Sequence, residues 1–502
     1  MPRSPPGCET PGPRLTGGVR PWSDHAAMHP LLGLTLVELC ASLRARRASP
    51  VELMEAVLAR IDATHADLNA VCQRRDPAAC LADARAAERR LAAGEGRPLE
   101  GIPLGVKELE DVAGFRSTEG SVLYAERVAA RDSIQVERLK AAGAIVVGKT
   151  NAPEFGAPAF TKNRVYGVTR SPWDLALTPG GSSGGSSAAL AACVLPLVTA
   201  GDGGGSIRIP ASFTGAFGLK TSWGRVPREH VHWEYGCTAV YGPLTKTVED
   251  AALVLDQVVG AHPRDPHSLP HPGYSYVERL AEALPSFRIG YSPDLGYAVV
   301  QSDVAAAVET AAGVFASLGH RVERVPGGPP ELGRAWSLLG AFLLAAQLHE
   351  DLPGREALIG RGLRAGMKTA AAMTPERWGA LAKLREGLNA WCAETFARWD
   401  LLVTPTVPFD PYPAPGPYPT ETEGRPLPWS NVGSFTIPFN LSWHPAASVR
   451  VGLSRRGLPI GMQIVGPRHR DDLVLRAALA FQRERPWHPH WPTTWAPLAA
   501  AG

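Results

Sequence analysis

Between about residues 34 and 91, apolar residues recur at steps of three and four, the spacing that predicts amphipathic helices. Within this region, the segment Ser49–Glu52 predicts a helix N-terminus, because serine caps free backbone N–H groups and proline fits the first turn. The N-terminal part of the chain is therefore predicted to be helical. The pattern is carried by Leu36, Leu39, Leu43, Val51, Met54, Val57, Leu58 and Ile61.

Beyond residue 100 the pattern changes to short apolar runs separated by helical segments, which is typical of an α/β protein. Two such runs, Ile102–Val106 and Ala144–Val147, predict strands, and the first ends at Lys107. The remaining predicted elements are a strand–helix–strand unit over 286–324, mostly helix over 330–400, a Pro-rich surface loop over 407–430, a strand at Leu458–Val465 and a helix at Asp471–Phe481.

The 502 residues contain no internal repeat and no linker that cleanly divides them. We therefore predict one large α/β domain over residues 28–502, with a variable helical region at about 330–400. Residues 1–27 are rich in proline and glycine and are predicted to be a disordered tail, which makes Met28 a candidate for the functional start.

Composition narrows the function classes. The formal net charge of +3 is too balanced to favour nucleic acid or an anionic membrane surface. No apolar run reaches the roughly 18 residues of a membrane helix, and the N-terminal segment has no signal-peptide core. The seven cysteines, odd in number and without a C-x-x-C pair, indicate free thiols in a reducing compartment. A cytoplasmic protein is predicted.

Two serine–glycine clusters, Gly180–Ser187 and Gly201–Ser206, stand out in a stretch of low charge. Successive backbone N–H groups in glycine-rich turns form an anion cradle, and a serine beside such a cradle suits acyl transfer. A flexible linker is disfavoured by the flanking apolar runs, and neither cluster has the pattern of a phosphate-binding loop. Gly180–Gly184 matches the G-x-S-x-G elbow of α/β-hydrolases, but no buried strand precedes it.

A nucleophilic serine needs a base. None of the 14 histidines is tied to these clusters by spacing, and the two H-x-H pairs lack further ligands, so no metal site is predicted. Lys107 is the other candidate, since burial lowers a lysine pKa towards neutrality. Taken alone, it is predicted to be a partly exposed lysine at a strand end.

At this point the sequence resembles the amidase-signature family, and the resemblance runs from about Leu34 to Phe481. The positions Lys107, Ser182 and Ser206 reproduce the spacing of that family's three catalytic residues. The segments that carry the resemblance most clearly are GIPLGVKELEDVAGFRSTEGS (101–121), GGSSGGSSAALAACVLPLVTAGDGGGSIRIPASFTGAFGLKTSWGRVP (180–227) and PFNLSWHPAASVRVGLSRRGLPIGMQIVGP (438–467).

The resemblance implies a mixed central sheet between helical layers and a serine hydrolase that needs no metal or organic cofactor. Ser206 would form an acyl-enzyme. Ser182, in a cis peptide, would relay protons between Ser206 and a neutral Lys107. The oxyanion hole would consist of the N–H groups of Gly203, Gly204, Gly205 and Ser206.

Three departures from the family pattern are visible: Glu108 follows the lysine where aspartate is more typical, Gly203 stands where a side chain is usual, and Trp443–His444 replace a small residue. Among the flanking residues, Asp202 and Arg208 are predicted to pair and hold the loop. Ser183, Ser186 and Ser187 are predicted to cap and pack the following helix.

The substrate walls are expected from the 330–400 helices and from loops near 122–125 and 230–237. The aromatic content of the 230–237 loop, together with Trp336, favours an apolar or aryl substrate, an amide or a carbamate, over free glutamine. The alternative is the A subunit of a glutamine-dependent tRNA amidotransferase, and a homodimer is expected only from the resemblance. The predicted substrate-binding residues are Gly181, His232, Trp233, Tyr235 and Trp336, with Phe342 and Leu343 facing the same space.

Overall fold

The computed structural model describes residues 28–229, 238–428, 430–487 and 491–492. The predicted tail over 1–27 and the predicted substrate-binding residues His232, Trp233 and Tyr235 lie outside the described residues. Within these ranges, no helix is long and apolar enough to cross a membrane.

The predicted helical pattern of the N-terminal part is confirmed, with one short strand inserted at Val71–Arg74. Ser49 caps the helix that begins at Pro50, and Glu52 returns a hydrogen bond to the backbone of Ser49, completing a capping box. The α-helices are α1 Pro30–Gly33, α2 Leu36–Arg44, α3 Pro50–Leu68, α4 Pro77–Ala92, α5 Ile134–Ala141, α6 Gly184–Ala191, α7 Arg208–Thr214, α8 Val248–Val258, α9 Tyr276–Arg279, α10 Ser302–Ser317, α11 Gly333–Gln347, α12 Arg361–Ala370, α13 Pro375–Arg398, α14 Ile437–Leu441 and α15 Asp471–Glu484.

In the described residues, the strands form two main sheets and three two-stranded ladders. They are β1 Val71–Arg74, β2 Pro103–Lys107, β3 Ile145–Thr150, β4 Lys162–Asn163, β5 Gly167–Val168, β6 Leu197–Val198, β7 Gly201–Asp202, β8 Phe217–Lys220, β9 Val240–Tyr241, β10 Leu244–Thr245, β11 Arg288–Tyr291, β12 Arg321–Arg324, β13 Leu401–Pro405, β14 Glu421–Thr422, β15 Arg425–Pro426, β16 Ala446–Leu453 and β17 Pro459–Val465.

The large sheet has seven strands in the order β10-β8-β16-β17-β13-β11-β12 within the described residues. Its outer strands β11 and β12 run parallel to each other and to β13, and the remaining pairs are antiparallel. The predicted strand–helix–strand unit over 286–324 is β11, α10 and β12. The sheet is therefore mixed, as expected.

Helices cover both faces of the large sheet. Successive residues of a strand point to opposite faces. A side chain at Gly461 would meet Ser212 of α7, whereas one at Gly466, just past the end of β17, would meet Val474 of α15. With α10 also packed against β17, this arrangement confirms the predicted α/β fold of a mixed sheet between helical layers.

The small sheet, in the order β1-β3-β2-β6, positions the lysine that ends the first apolar run. Its central strand β2 is fully buried from Pro103 to Lys107 and lies parallel to β3 and β6. Since both neighbours shield β2, Lys107 projects from the buried end of a strand. The prediction of a partly exposed lysine is wrong: Lys107 is 4% exposed.

The prediction of a surface loop over 407–430 is also wrong for the first part of that segment. Residues 406–412 are buried. Val407, Phe409 and Tyr412 form an apolar cluster with Ile209 and Phe213 of α7. The prolines suggested a solvent-exposed segment, but the apolar residues between them support the helix that follows Ser206.

Candidate active site

Lys107 lies in the centre of the site, and both its backbone and its side chain form hydrogen bonds there. Its N–H donates to Thr199 Oγ1 at 2.9 Å. Its Nζ lies 2.8 Å from Ser182 Oγ, 2.9 Å from Ser183 Oγ and 3.2 Å from the carbonyl oxygen of Gly201. Burial lowers the pKa of Lys107 to about 7, although the negative charges of Asp202 and Glu110 act in the opposite direction. A neutral amine is therefore accessible near neutral pH.

The first serine–glycine cluster brings Ser182 to this amine. The peptide bond between Gly181 and Ser182 is cis, and Ser182 is 3% exposed. Gly181 is buried, and a Cβ there would lie 2.8 Å from the Phe160 N and the Pro158 O. Only glycine fits this close approach. Gly181 therefore shapes the backbone beside Ser182, and the contacts seen assign it no further role.

Ser183 was predicted to cap and pack α6, but its side chain makes no capping hydrogen bond. It donates to the Gly201 carbonyl at 3.2 Å and lies against Lys107 Nζ. Ser186 and Ser187 do pack inside the molecule, and Ser186 Oγ donates to the Thr199 carbonyl at 2.8 Å. The cluster therefore places the hydroxyl groups of Ser182 and Ser183 within hydrogen-bonding distance of Lys107 Nζ.

The second cluster forms a tight turn between β7 and α7, the glycine loop (residues 203–206). The predicted pair of Asp202 and Arg208 is confirmed at 2.9 Å, and both side chains are fully buried. The Asp202 carboxylate also accepts the N–H groups of Gly205 and Ile207 at 2.7 and 3.1 Å. Burial by itself raises the pKa of Asp202, but the charge and hydrogen bonds of Arg208 hold it well below its usual range.

Arg208 is in turn fixed by three further acceptors from the described part of the chain. These are the carbonyl of Thr436, the side-chain oxygen of Gln463 on β17 and the side-chain oxygen of Asn440 on α14. Charge-assisted hydrogen bonds of this kind are short and directional. The glycine loop is therefore bound rigidly to the large sheet.

The prediction that the N–H of Gly205 belongs to the oxyanion hole is wrong. The N–H of Gly205 is directed at Asp202 and so cannot point to a substrate oxygen. Within the described ranges, no acceptor pairs with the N–H groups of Gly203, Gly204 or Ser206. These three amides remain as donors for an anion, and Ser206 itself is partly exposed.

The sequence left open how Gly203 affects the loop, and the structure gives a local answer. Gly203 does not have a positive φ, and a Cβ there would be 3.7 Å from the nearest atom outside its neighbours, in Ala239. Gly204 differs, because a Cβ would lie 2.5 Å from the ring of Trp336. The loop therefore requires glycine at 204 but not at 203.

Of the predicted substrate-binding residues that lie in the described ranges, Gly181 adjoins Ser182 and Trp336 lies against the glycine loop. The indole N–H of Trp336 donates to the carbonyl of Gly203 at 3.0 Å. Phe342 and Leu343, further along α11, line a cavity of about 450 Å³ together with Met373, Pro375 and Trp378. Neither Trp336 nor any glycine-loop residue lines this cavity, and the expectation that Phe342 and Leu343 face the substrate stays a prediction.

No group of His, Cys, Asp and Glu side chains suited to a metal ion occurs in the described part of the chain. His444, next to Trp443, is buried, stacks on Phe396 and pairs with Ser442. Burial lowers the pKa of His444 to about 3, so it remains neutral. His444 therefore packs inside the fold, and the half-buried Trp443 stacks on Trp223.

Comparison with known proteins identifies the family of the chain. The model of the family described as "Amidase" matches residues 52–475. The chain belongs to the amidase family. Members of this family are serine hydrolases that act on carbon–nitrogen bonds.

Three relatives illustrate the range of the amidase family. The chain is 35% identical over 462 residues to an acylamidase from Rhodococcus erythropolis, covering 90% of this chain and 96% of the relative. It is 34% identical over 486 residues to the A subunit of a glutamyl-tRNA(Gln) amidotransferase from a Geobacter species, and the match covers 91% of this chain and 98% of the relative. The crystal structure of a bacterial aryl acylamidase superposes with a TM-score of 0.87 at 31% identity, and the match covers 93% of this chain and 100% of that one.

Sequence reasoning missed several residues of this candidate site. Ser183 carried a signal, since it lies inside the serine–glycine cluster, but it was interpreted as a cap. Glu110, three residues after Lys107, is 1% exposed and raised no expectation. Thr436, Asn440 and Gln463 lie more than 200 residues from the glycine loop, and no local pattern linked them to it.

Proposed function

We propose that this chain is an amidohydrolase that cleaves the C–N bond of a linear amide, or of a carbamate, with an apolar or aryl substituent. Ser206 is the nucleophile, and Ser182 and Lys107 transfer its proton. The observation that carries the proposal is the 2.8 Å contact between Lys107 Nζ and Ser182 Oγ, in a site where burial brings the lysine pKa to about 7.

The hydrogen bonds around Lys107 favour one direction of proton flow. The carbonyl of Gly201 can only accept, so it takes one N–H of the amine. Ser183 donates its own hydrogen to that carbonyl and therefore accepts a second N–H from Lys107. In the neutral amine the remaining position is the lone pair, which faces Ser182 Oγ. In the proposed relay Ser182 then donates to Lys107 and accepts from Ser206, whose carbonyl accepts the N–H of the adjacent Ser183 at 3.2 Å.

The steps follow from this arrangement. Ser206 Oγ attacks the carbonyl carbon while its proton passes to Ser182 and the proton of Ser182 passes to Lys107. The amides of Gly203, Gly204 and Ser206 stabilise the developing oxyanion. When the C–N bond breaks, the proton returns through Ser182 to the leaving nitrogen. Water then repeats the sequence on the acyl-enzyme and releases the acid.

Two observations support an apolar or aryl substituent. Trp336 contributes an aromatic face directly beside the glycine loop. The relatives include proteins named as an acylamidase and an aryl acylamidase. An aromatic wall favours a flat apolar group through area burial and ring contacts.

The test is release of aniline from an anilide and from an aryl carbamate by the purified protein alone. Turnover is expected for at least one of them, and the Ser206→Ala and Lys107→Ala variants are expected to lose it. Glu126→Gln, at an exposed position, is the matched control and should retain it. Turnover that survives in Ser206→Ala would refute the assignment of the nucleophile.

The amidotransferase A subunit is the second candidate, because one relative with 98% of its length covered carries that name. It predicts that glutamine is hydrolysed better than any anilide. Folded protein that turns over neither anilide nor carbamate but releases ammonia from glutamine would replace the first proposal with this one.

A further inference from the structure

Glu110 is a buried carboxyl next to the lysine that the proposed mechanism does not use. The chain turns back after Lys107, and the N–H of Glu110 donates to the Lys107 carbonyl at 2.9 Å. The Glu110 side chain is 1% exposed. A carboxyl removed from water in this way is costly unless its charge serves a partner or is lost.

The surroundings of Glu110 leave it incompletely satisfied. One oxygen, Oε1, accepts from Ser133 Oγ at 3.1 Å, whereas Oε2 has no hydrogen-bond partner in the portion of the chain that is described. Burial raises the pKa of Glu110 to about 7, while Ser133, Thr199, Lys107 and Lys149 all lower it. Thr199 also receives the backbone N–H of Lys107, so the two ionisable residues share a neighbour.

The other charges that face Lys107 are constrained by partners of their own. Asp202 is locked to Arg208. Glu119 lies 3.3 Å from Arg127, and Arg228 is half-buried over the ring of Tyr241. Glu110 differs because no ion pair within 4 Å is formed by its carboxyl among the described residues. Lys149, the other lysine whose charge lowers the pKa of Glu110, donates to the carbonyls of Glu108 and Arg116.

We propose that Glu110 is a positioning residue that sets the proton affinity of Lys107, and this inference rests on the proposed function. An ionised Glu110 favours the ammonium form of Lys107, and a proton taken up by Glu110 removes that stabilisation. The two groups then titrate as a coupled pair, so the pH at which the amine becomes available depends on both. Glu110 does not touch substrate in this account.

The test uses a reagent that does not depend on the identity of the substrate. Phenylmethanesulfonyl fluoride is added to the full-length protein between pH 5 and 9, and the rate of covalent labelling of Ser206 is followed by intact-mass and peptide-mapping mass spectrometry. The wild-type rate is expected to rise through an acid limb that reports the loss of a proton from Lys107. In Glu110→Gln this limb is expected to move to lower pH by about 0.5 unit or more, because the neighbouring negative charge is gone.

Two further variants keep the result decisive. Ser133→Ala removes the hydroxyl that favours ionised Glu110, so it should move the limb in the same direction by a smaller amount, even if Glu110→Gln does not fold. Glu126→Gln, an exposed acid, should leave the limb in place. A limb at the wild-type pH in the folded variants of Glu110 and Ser133 would overturn the inference.

Failure of the proposed function would look different. If wild-type Ser206 is not labelled, or if the acid limb persists in Lys107→Met, the mechanism itself is wrong and the inference about Glu110 falls with it. If the acid limb is lost in Lys107→Met but lies at the wild-type pH in Glu110→Gln, only the inference about Glu110 fails.

Discussion

Replacing Lys107 by methionine should change how the stability of the protein depends on pH. Lys107 has an ordinary pKa of 10.5 in the unfolded chain and about 7 in the folded protein. At about 1.4 kcal/mol per pKa unit, the folded state is penalised by about 5 kcal/mol at pH values well below 7. Between pH 7 and 10.5 the unfolded chain holds the proton more tightly, so stability rises with pH in this window.

Methionine has nearly the same length and no proton to lose. Its substitution also removes the contacts to Ser182, Ser183 and the Gly201 carbonyl, which costs about 1–3 kcal/mol for each polar group left unpaired. That cost does not depend on pH. The difference in unfolding free energy between wild type and Lys107→Met should therefore shift by about 3 kcal/mol in favour of wild type from pH 7 to pH 10.

The assay is urea unfolding of both proteins at pH 7 and pH 10, with free energies derived by linear extrapolation. Lys368→Met, at an exposed position on α12, controls for the loss of one lysine and should shift the difference by less than about 0.5 kcal/mol. A Lys107→Met difference that is the same at both pH values would show that the folded pKa is not depressed, and the reasoning about a neutral base would be refuted.

Three other substitutions are informative. Asp202→Asn leaves its arginine partner buried without a counter-charge, so unfolding free energy should fall by about 3–5 kcal/mol in urea melts; a loss below about 1 kcal/mol would contradict the role of the pair. Gly204→Ala places a Cβ 2.5 Å from Trp336 and should cost at least tenfold in kcat for anilide hydrolysis, whereas Gly203→Ala should stay within about threefold; equal effects would reject the loop geometry. Ser183→Ala removes one acceptor from Lys107 and should lower kcat about tenfold with little change in KM; unchanged kcat would show that Ser183 does not orient the amine.

The sequence predicted those parts of the fold that depend on local patterns of apolar and polar residues. Helical spacing identified α2 and α3, and the short apolar run ending at Lys107 identified β2. The three proposed catalytic positions were identified by their spacing within a known family pattern. That these three residues lie close together could not be predicted from local patterns, because β2, α6 and the glycine loop come together only in the folded chain.

The errors have physical causes that a sequence pattern does not carry. Lys107 was expected to be partly exposed, because its burial depends on β3 and β6 on either side of it. The N–H of Gly205 was counted as an oxyanion donor because the cluster was considered without the direction of the Asp202 carboxylate. The Pro-rich segment after residue 406 looked solvent-exposed, but Phe409 and Tyr412 pack against α7.

The central claim, that Ser206 carries the acyl group, is tested most directly by trapping the intermediate. The protein is mixed with an aryl amide, quenched in acid within milliseconds to seconds, and analysed by intact-mass and peptide-mapping mass spectrometry. We predict an adduct of one acyl group on Ser206 that is absent in Ser206→Ala and in Lys107→Met. Turnover with the acyl group found on another side chain would contradict the claim.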